Sequence, residues 1–314
     1  MTYNQQKEWC EIMEKLPETY HFAGDYHPVE EWWDWKGHQV HLDCFRNEAA
    51  PAKVILLHGV GTNGRQMSMI LGGPLSKDGL ETIAIDMPTY GVTKVKNSEV
   101  VTYDDWVNLA CDYIEYESKR DDRPIVLYGL SAGGMEAYHI ASKTKNVKGI
   151  IGMTFLDQRI QQVRDETTRN LFMSRVGIPM ATVACKIGLD RFNMKMSIAA
   201  KMSALCNDKD VMEIFNRDTT SAANKASMKF LDSYSNYIPA MEPEDFDVCP
   251  VLLTQPAEDR WTPLHLSKLV LDRMKKVDVE IVHLENGSHY PVEQPALDQM
   301  HDAVLAFIKK VIKQ

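Results

Sequence analysis

The stretch Leu127–Ile140, LYGLSAGGMEAYHI, most constrains the fold, because it asks the chain to pass from strand to helix within a single residue. It continues the apolar run Ile125-Val126-Leu127-Tyr128, and the residues beyond Ser131 are helix formers without proline. The apex of such a turn is held in a strained backbone conformation, and side chains two positions to either side would collide there. Glycine stands at both positions, in Gly129-Leu130-Ser131-Ala132-Gly133. The turn pushes the serine hydroxyl out at the carboxyl end of the strand, and the helix behind it aims free backbone N–H groups at any charge developing there. Ser131 is therefore a candidate nucleophile. The pattern alone is weak, since a chain of this composition holds one by chance about one time in ten. Its surroundings carry the argument.

Lys53–Leu57, KVILL, is a short apolar run of the kind buried on both faces of a sheet, and it leads straight into His58-Gly59-Val60-Gly61-Thr62-Asn63-Gly64. Glycines here let the backbone pass close to a ligand, and a helix is expected from about Gln66. A phosphate loop is the competing reading, but neither a Walker lysine nor a ribose-binding acid follows in place. Beside Ser131, the loop reads better as the second donor of an oxyanion hole. Further strands are expected at Thr82–Ile85 and Val147–Phe155, with a loop from Gly91 to Ser98 and a helix over Tyr103–Lys119. Asp86, at a strand end, is expected to fix its own loop. This alternation implies a mostly parallel, twisted sheet with helices on both faces and active residues at the carboxyl ends of its strands.

Upstream, residues 4–16 read as an amphipathic helix, and Glu30–Trp35 with His38–Phe45 as an edge hairpin about Lys36-Gly37. His38, His41 and Asp43 are a thin metal lead. On a strand the two histidines point to opposite faces and cannot share an ion, so these residues are expected to face solvent, and no metal or cofactor is expected.

Between residues 157 and 247 the alternation breaks. Helical patterns at Gln158–Val176, Met194–Leu205 and Ala222–Tyr234, rich in methionine, mark an inserted helical cap over the serine. Residues 1–156 and 248–314 then form the core, and the cap implies an enclosed, mainly apolar pocket.

A serine hydroxyl needs a base to take its proton and an acid to orient that base. The sheet pattern resumes at Val251–Thr254 and ends with Val279–Leu284 and a helix from about Pro295. His289 sits in a Gly-Ser turn between the last strand and last helix, whereas His283 lies in the strand and His265 and His301 in helices. Asp259, in the loop after Val251–Thr254, is the chosen acid, with Glu258 beside it as the alternative.

At these residues the chain resembles the α/β-hydrolase family over nearly its whole length. HGVGTNG resembles its His-Gly oxyanion loop, AIDMPTYG its Asp-x-Pro loop, GLSAGG its nucleophile elbow and NGSHYPVEQP its histidine loop. The resemblance implies Ser131 as nucleophile, His289 as base, Asp259 as orienter, and the backbone N–H groups of Val60 and Ala132 as oxyanion donors. His58, Gly59, Tyr90, Trp261 and Tyr290 become candidate pocket residues. The implied chemistry is two-step acyl transfer, foremost hydrolysis of a carboxylic ester of a small to medium apolar substrate. Thioesterase, acyltransferase and carbon–carbon hydrolase chemistry use the same residues, and a ligand-binding protein on this scaffold is the non-enzymatic alternative.

A net charge of -9 argues against nucleic acid as a partner. No stretch of about eighteen apolar residues and no signal-peptide core occurs, and six scattered cysteines form no Cys-x-x-Cys pair. The expectation is a soluble, cytoplasmic protein with a small acyl substrate and no stable membrane insertion. No long heptad or large apolar patch is evident from which to read an oligomer.

Overall fold

A computed structural model describes residues 2–96 and 99–313, so Asn97 and Ser98 of the expected Gly91–Ser98 loop lie outside the described residues. The N-terminal segment is a 3-10 turn, Tyr3–Gln5, and a short helix α1 (Glu8–Met13), rather than one helix over 4–16. The break has a tertiary cause: Tyr3 is pulled inward and its hydroxyl donates to Asp86 Oδ1 at 2.9 Å.

The sheet begins with the expected hairpin, β1 (Val29–Trp35) and β2 (His38–Phe45), which turns at Lys36-Gly37, both at positive φ. Next come β3 (Lys53–Leu57), a helical stretch of α2 (Gly64–Met67), a π turn (Ser68–Gly72) and α3 (Gly73–Lys77), and then β4 (Glu81–Ile85). Helix α4 (Tyr103–Arg120) opens on a capping box between Thr102 and Asp105 and leads to β5 (Ile125–Gly129), α5 (Ala132–Thr144) and β6 (Gly149–Gly152). Every residue of β3, β4, β5 and β6 is buried, as a sheet covered on both faces requires.

The inserted segment holds α6 (Gln161–Thr167), a π turn (Met173–Gly177) running into α7 (Ile178–Lys186), β7 (Asn193–Lys195), α8 (Met196–Ala199), α9 (Lys209–Arg217), β8 (Lys225–Ser227) and α10 (Met228–Ser235). It is helical as expected, with three differences. The pattern over 158–176 is split at Thr168, neither α7 nor α9 falls within an expected helix, and β7 and β8 pair as a small antiparallel ribbon. That pairing delays the last helix to Met228, where the Ser227 side chain caps it.

The chain returns to the sheet through β9 (Val251–Pro256), α11 (Leu264–Leu271), β10 (Val279–Leu284) and α12 (Ala296–Val311). The strand order is β1-β2-β4-β3-β5-β6-β9-β10, with β2 antiparallel to its neighbours and every other pairing parallel.

His38, His41 and Asp43 do not face solvent: His41 and Asp43 are fully buried, and His38, buried as well, lies 2.9 Å from Glu99. Asp43 pairs with Arg65 at 2.7 Å, and His41 lies between Asp86 (2.9 Å) and Glu30 (3.0 Å). Burial opposes charge on His41, but these carboxylates outweigh it and its pKa is pushed up to about 9. The strand faces inward on this side because the N-terminal segment covers it, with the Arg65 guanidinium between the Tyr3 and Trp9 rings. Asp86 also accepts from the backbone N–H of Gly64 (2.7 Å) and Val92 (2.9 Å), which ties its loop as expected.

Candidate functional site

Strand β3 lies between β4 and β5, so the chain leaves β3 toward one side and reaches β5 on the other. The carboxyl ends of β3 and β5 therefore open a crevice at the topological switch point. Ser131 stands there with φ 56 and ψ -122, a conformation that costs an L-residue about 1–2 kcal/mol. Hydrogen bonds on both sides hold it. Leu130 N–H donates to Leu57 O (3.0 Å), Gly134 N–H to Ser131 O (3.0 Å), and the Thr154 hydroxyl to the same carbonyl (3.1 Å).

The flanking glycines are needed for a somewhat different reason from the one the spacing suggests. A Cβ on Gly129 would strike the backbone of Gly133, and a Cβ on Gly133 would strike the Leu57 carbonyl. The crowding is between the two limbs of the turn and against β3, not against the serine side chain. Gly59 is the residue that makes room for the serine: a Cβ there would lie 2.7 Å from Ser131 Cβ.

His289, in the loop between β10 and α12, is fully buried, and its Nδ1 lies 2.8 Å from Asp259 Oδ2. Asp259 lies three residues beyond β9, which extends through Gln255 and Pro256 past the expected end at Thr254. Its Oδ1 accepts from the N–H of Trp261 and of Thr262, both at 2.8 Å, and its Oδ2 accepts from the Thr262 hydroxyl at 2.6 Å. Burial raises the Asp259 pKa, yet the His289 ring and these donors outweigh it and hold the carboxyl at about 2. The geometry sets the tautomer: Nδ1–H donates to the carboxylate, which leaves Nε2 as an acceptor, and Nε2 has no partner among the described residues. Glu258, the neighbouring alternative, is exposed. Thr262 was not singled out from the sequence; its signal was an Asp followed by a Thr-Pro turn in the same loop.

Of the two residues expected to supply oxyanion N–H groups, Val60 follows Gly59, which packs closely on Ser131, and Ala132 follows Ser131 itself. Ala132 is the first residue of the thirteen-residue α5. The Val60 peptide is held from behind by the Tyr90 hydroxyl, which donates to Val60 O at 2.7 Å. His58 lies deeper: Met87 N–H donates to its Nε2 (2.9 Å), so Nδ1 carries the proton and donates to Gly59 O (2.8 Å). Burial depresses its pKa, which keeps this ring neutral.

A cavity of about 50 Å³ lies over Ser131 and Val60. Leu156, Trp261 and Thr262 of the core and Thr167, Ile178, Met196, Phe230, Leu231 and Tyr234 of the inserted segment line it. Of the five candidate pocket residues, Trp261 lines this cavity, packed 4.8 Å from the His289 ring with its indole N–H on Thr167 O at 2.8 Å. His58, Gly59, Tyr90 and Tyr290 do not line it. They brace the site from behind, Tyr290 through its hydroxyl on Gln66 O (3.0 Å) and its ring against Phe215. Among the methionines of residues 157–247, Met196 lines the cavity, Met202 reaches Gly61 of the loop after β3, Met212 and Met228 are buried, and Met180 is exposed.

A parallel sheet with an antiparallel edge, bearing a strained serine between its central strand and a helix, defines the α/β-hydrolase fold. The chain belongs to the alpha/beta hydrolase family, which residues 54–300 match. Among solved structures it resembles a soluble variant of the monoglyceride lipase of Saccharomyces cerevisiae, with a TM-score of 0.72 and 18% identity over 94% of this chain and 98% of that one. A thermostable carboxyl esterase from Bacillus coagulans, in complex with glycerol, also gives 0.72, at 14% identity over 90% of this chain and 98% of that one. Among curated proteins it is similar to protein phosphatase methylesterase 1 of Homo sapiens, 29% identical over 104 residues. That match covers 33% of this chain and 27% of the relative, so the chain spans about a quarter of the curated relatives it matches.

Proposed function

We propose that the protein is a serine hydrolase that cleaves a carboxylic ester of a small to medium, largely apolar substrate through an acyl-enzyme on Ser131. The observation that carries this reading is the Asp259–His289 pair, whose unpartnered Nε2 belongs to a ring in contact with Trp261 and Thr262, both of which line the cavity over Ser131. In the reaction Nε2 takes the Ser131 proton as Oγ attacks the carbonyl, and the ionised Asp259 stabilises the imidazolium. The oxyanion receives the N–H groups of Val60 and Ala132, each worth about 3 kcal/mol in the transition state. The imidazolium then protonates the departing alcohol, and a water activated by the same nitrogen releases the acid. Residues 157–247 act as the lid that keeps bulk water out.

The relatives' names agree on ester chemistry, and the apolar lining of Leu156, Ile178, Met196 and Phe230 favours an apolar acyl or alcohol group. The six unpaired cysteines suit a reducing, cytoplasmic compartment. Turnover of aryl esters of increasing acyl length, with Ser131→Ala as control, tests the reading. Serine-dependent hydrolysis that declines once the acyl chain outgrows the cavity is expected; no serine-dependent turnover on any ester would refute it.

A further inference from the structure

Among the described residues, fourteen large hydrophobic side chains are exposed, and nine of them fall between Leu171 and Ile198. Phe172, Val176, Met180, Val183 and Ile187 recur every three or four residues along the π turn and α7, and Leu189 and Phe192 extend the surface beyond it. Phe172, Ile187 and Phe192 are 67%, 66% and 65% exposed. The other side of the same helix is apolar too, and it is covered: Ala181 is buried, Ile178 lines the cavity, and α7 packs on α10. A helix apolar on both sides needs a neighbour on both, and the chain supplies one.

Charge says what the other neighbour is. From Arg169 to Lys201 the sequence has six cations and a single acid, Asp190, a local balance of +5 within a chain of -9. Arg169, Lys186, Arg191 and Lys195 are exposed and make no ion pair among the described residues. An apolar face rimmed by unpaired cations is the pattern of an element lying in a lipid interface. A second copy fits it poorly, because a two-fold contact would set the same cations against each other.

We propose that the outer face of residues 171–198 docks on an anionic lipid surface, with Phe172, Ile187 and Phe192 entering the acyl layer and Lys186, Arg191 and Lys195 meeting the headgroups. No described helix is long and apolar enough to cross a membrane, so the contact is peripheral. Docking itself owes nothing to the chemistry proposed for Ser131. One consequence does rest on that chemistry: α7 would place lipid and cavity on its two sides, about 10 Å apart, and the substrate class becomes an ester that partitions into lipid.

The test is co-sedimentation of the full chain, in its Ser131→Ala form so that turnover plays no part, with phosphatidylcholine vesicles with and without phosphatidylglycerol. Binding is expected with phosphatidylglycerol and is lost in high salt. Lys186→Gln/Arg191→Gln/Lys195→Gln should weaken it about a hundred-fold, from about five-fold per cation. Phe172→Ser/Ile187→Ser/Phe192→Ser should weaken it at least about ten-fold with the thermal midpoint retained. No binding to phosphatidylglycerol vesicles, or binding that neither triple variant weakens, overturns the proposal. So does a dimer in light scattering that the apolar triple variant dissolves while vesicles remain unbound, which would assign the face to a second copy. Vesicle binding without ester turnover by the parent chain would leave docking standing and the ester reading refuted.

Discussion

Asp259 grips His289 with one oxygen and its own loop with the other. Oδ2 lies 2.8 Å from His289 Nδ1, while Oδ1 accepts two backbone N–H groups, from Trp261 and Thr262. The carboxylate is thereby fixed in rotation as well as position, and this sets what a near-isosteric replacement does.

In Asp259→Asn the amide oxygen must face the two N–H groups, so the NH₂ group points at His289 Nδ1. That donor forces the proton onto Nε2 and removes the base. The expected loss in kcat is about 10⁴-fold, with the thermal midpoint little changed. Ester turnover and thermal unfolding of the same preparation check it; retention of activity within about ten-fold would mean that the pair does not orient a base.

Gly59→Ala adds a methyl 2.7 Å from Ser131 Cβ and 3.0 Å from Leu130 O. Both neighbours belong to the strained turn, so either Ser131 or the Val60 peptide must move. A displacement on the order of 1 Å is expected to lower kcat about a hundred-fold, more than it changes KM, and to cost about 1–3 kcal/mol of stability. Steady-state kinetics alongside denaturant unfolding separates the two effects.

Glu136, on α5 five residues beyond Ser131, is fully buried, and neither carboxyl oxygen has a partner among the described residues. Burial pushes its pKa well above the usual carboxylate range, so the folded protein holds the acid neutral. The unfolded chain releases that proton above about pH 4.3, the folded chain does not, and stability therefore falls as pH rises through that window. Glu136→Gln should flatten this decline and raise the thermal midpoint at pH 7 to 8. Midpoints measured from pH 5 to 8 that fall equally in both proteins would contradict the assignment.

The sheet was legible because its central strands are short runs buried on both faces, and because Ser131, Asp259 and His289 each follow a strand, where this architecture collects its loops. Even there, Lys53 hides a surprise: it opens the apolar run KVILL yet is fully buried, paired with Glu117 at 3.1 Å and Asp121 at 3.0 Å. Proximity in sequence misled at the pocket. His58, Tyr90 and Tyr290 adjoin the site in the chain, but their side chains turn away to pin backbone, whereas Ile178, Phe230 and Tyr234 arrive from the segment inserted between β6 and β9. His41 and Asp43 were read as solvent-facing because strand alternation says nothing of an N-terminal segment folding over the edge. The outer face of α7 escaped for the same reason, since periodicity counts apolar positions without saying which of them find a neighbour.

Acylation of Ser131 is read out by mixing the protein with an excess of a p-nitrophenyl ester, quenching in acid and weighing the intact chain. A nitrophenol burst of about one equivalent and a mass increase of one acyl group on the peptide that carries Ser131 are expected, and neither in Ser131→Ala. An acyl group found on another residue, or a Ser131→Ala chain that turns the ester over at the parent's rate, would contradict it.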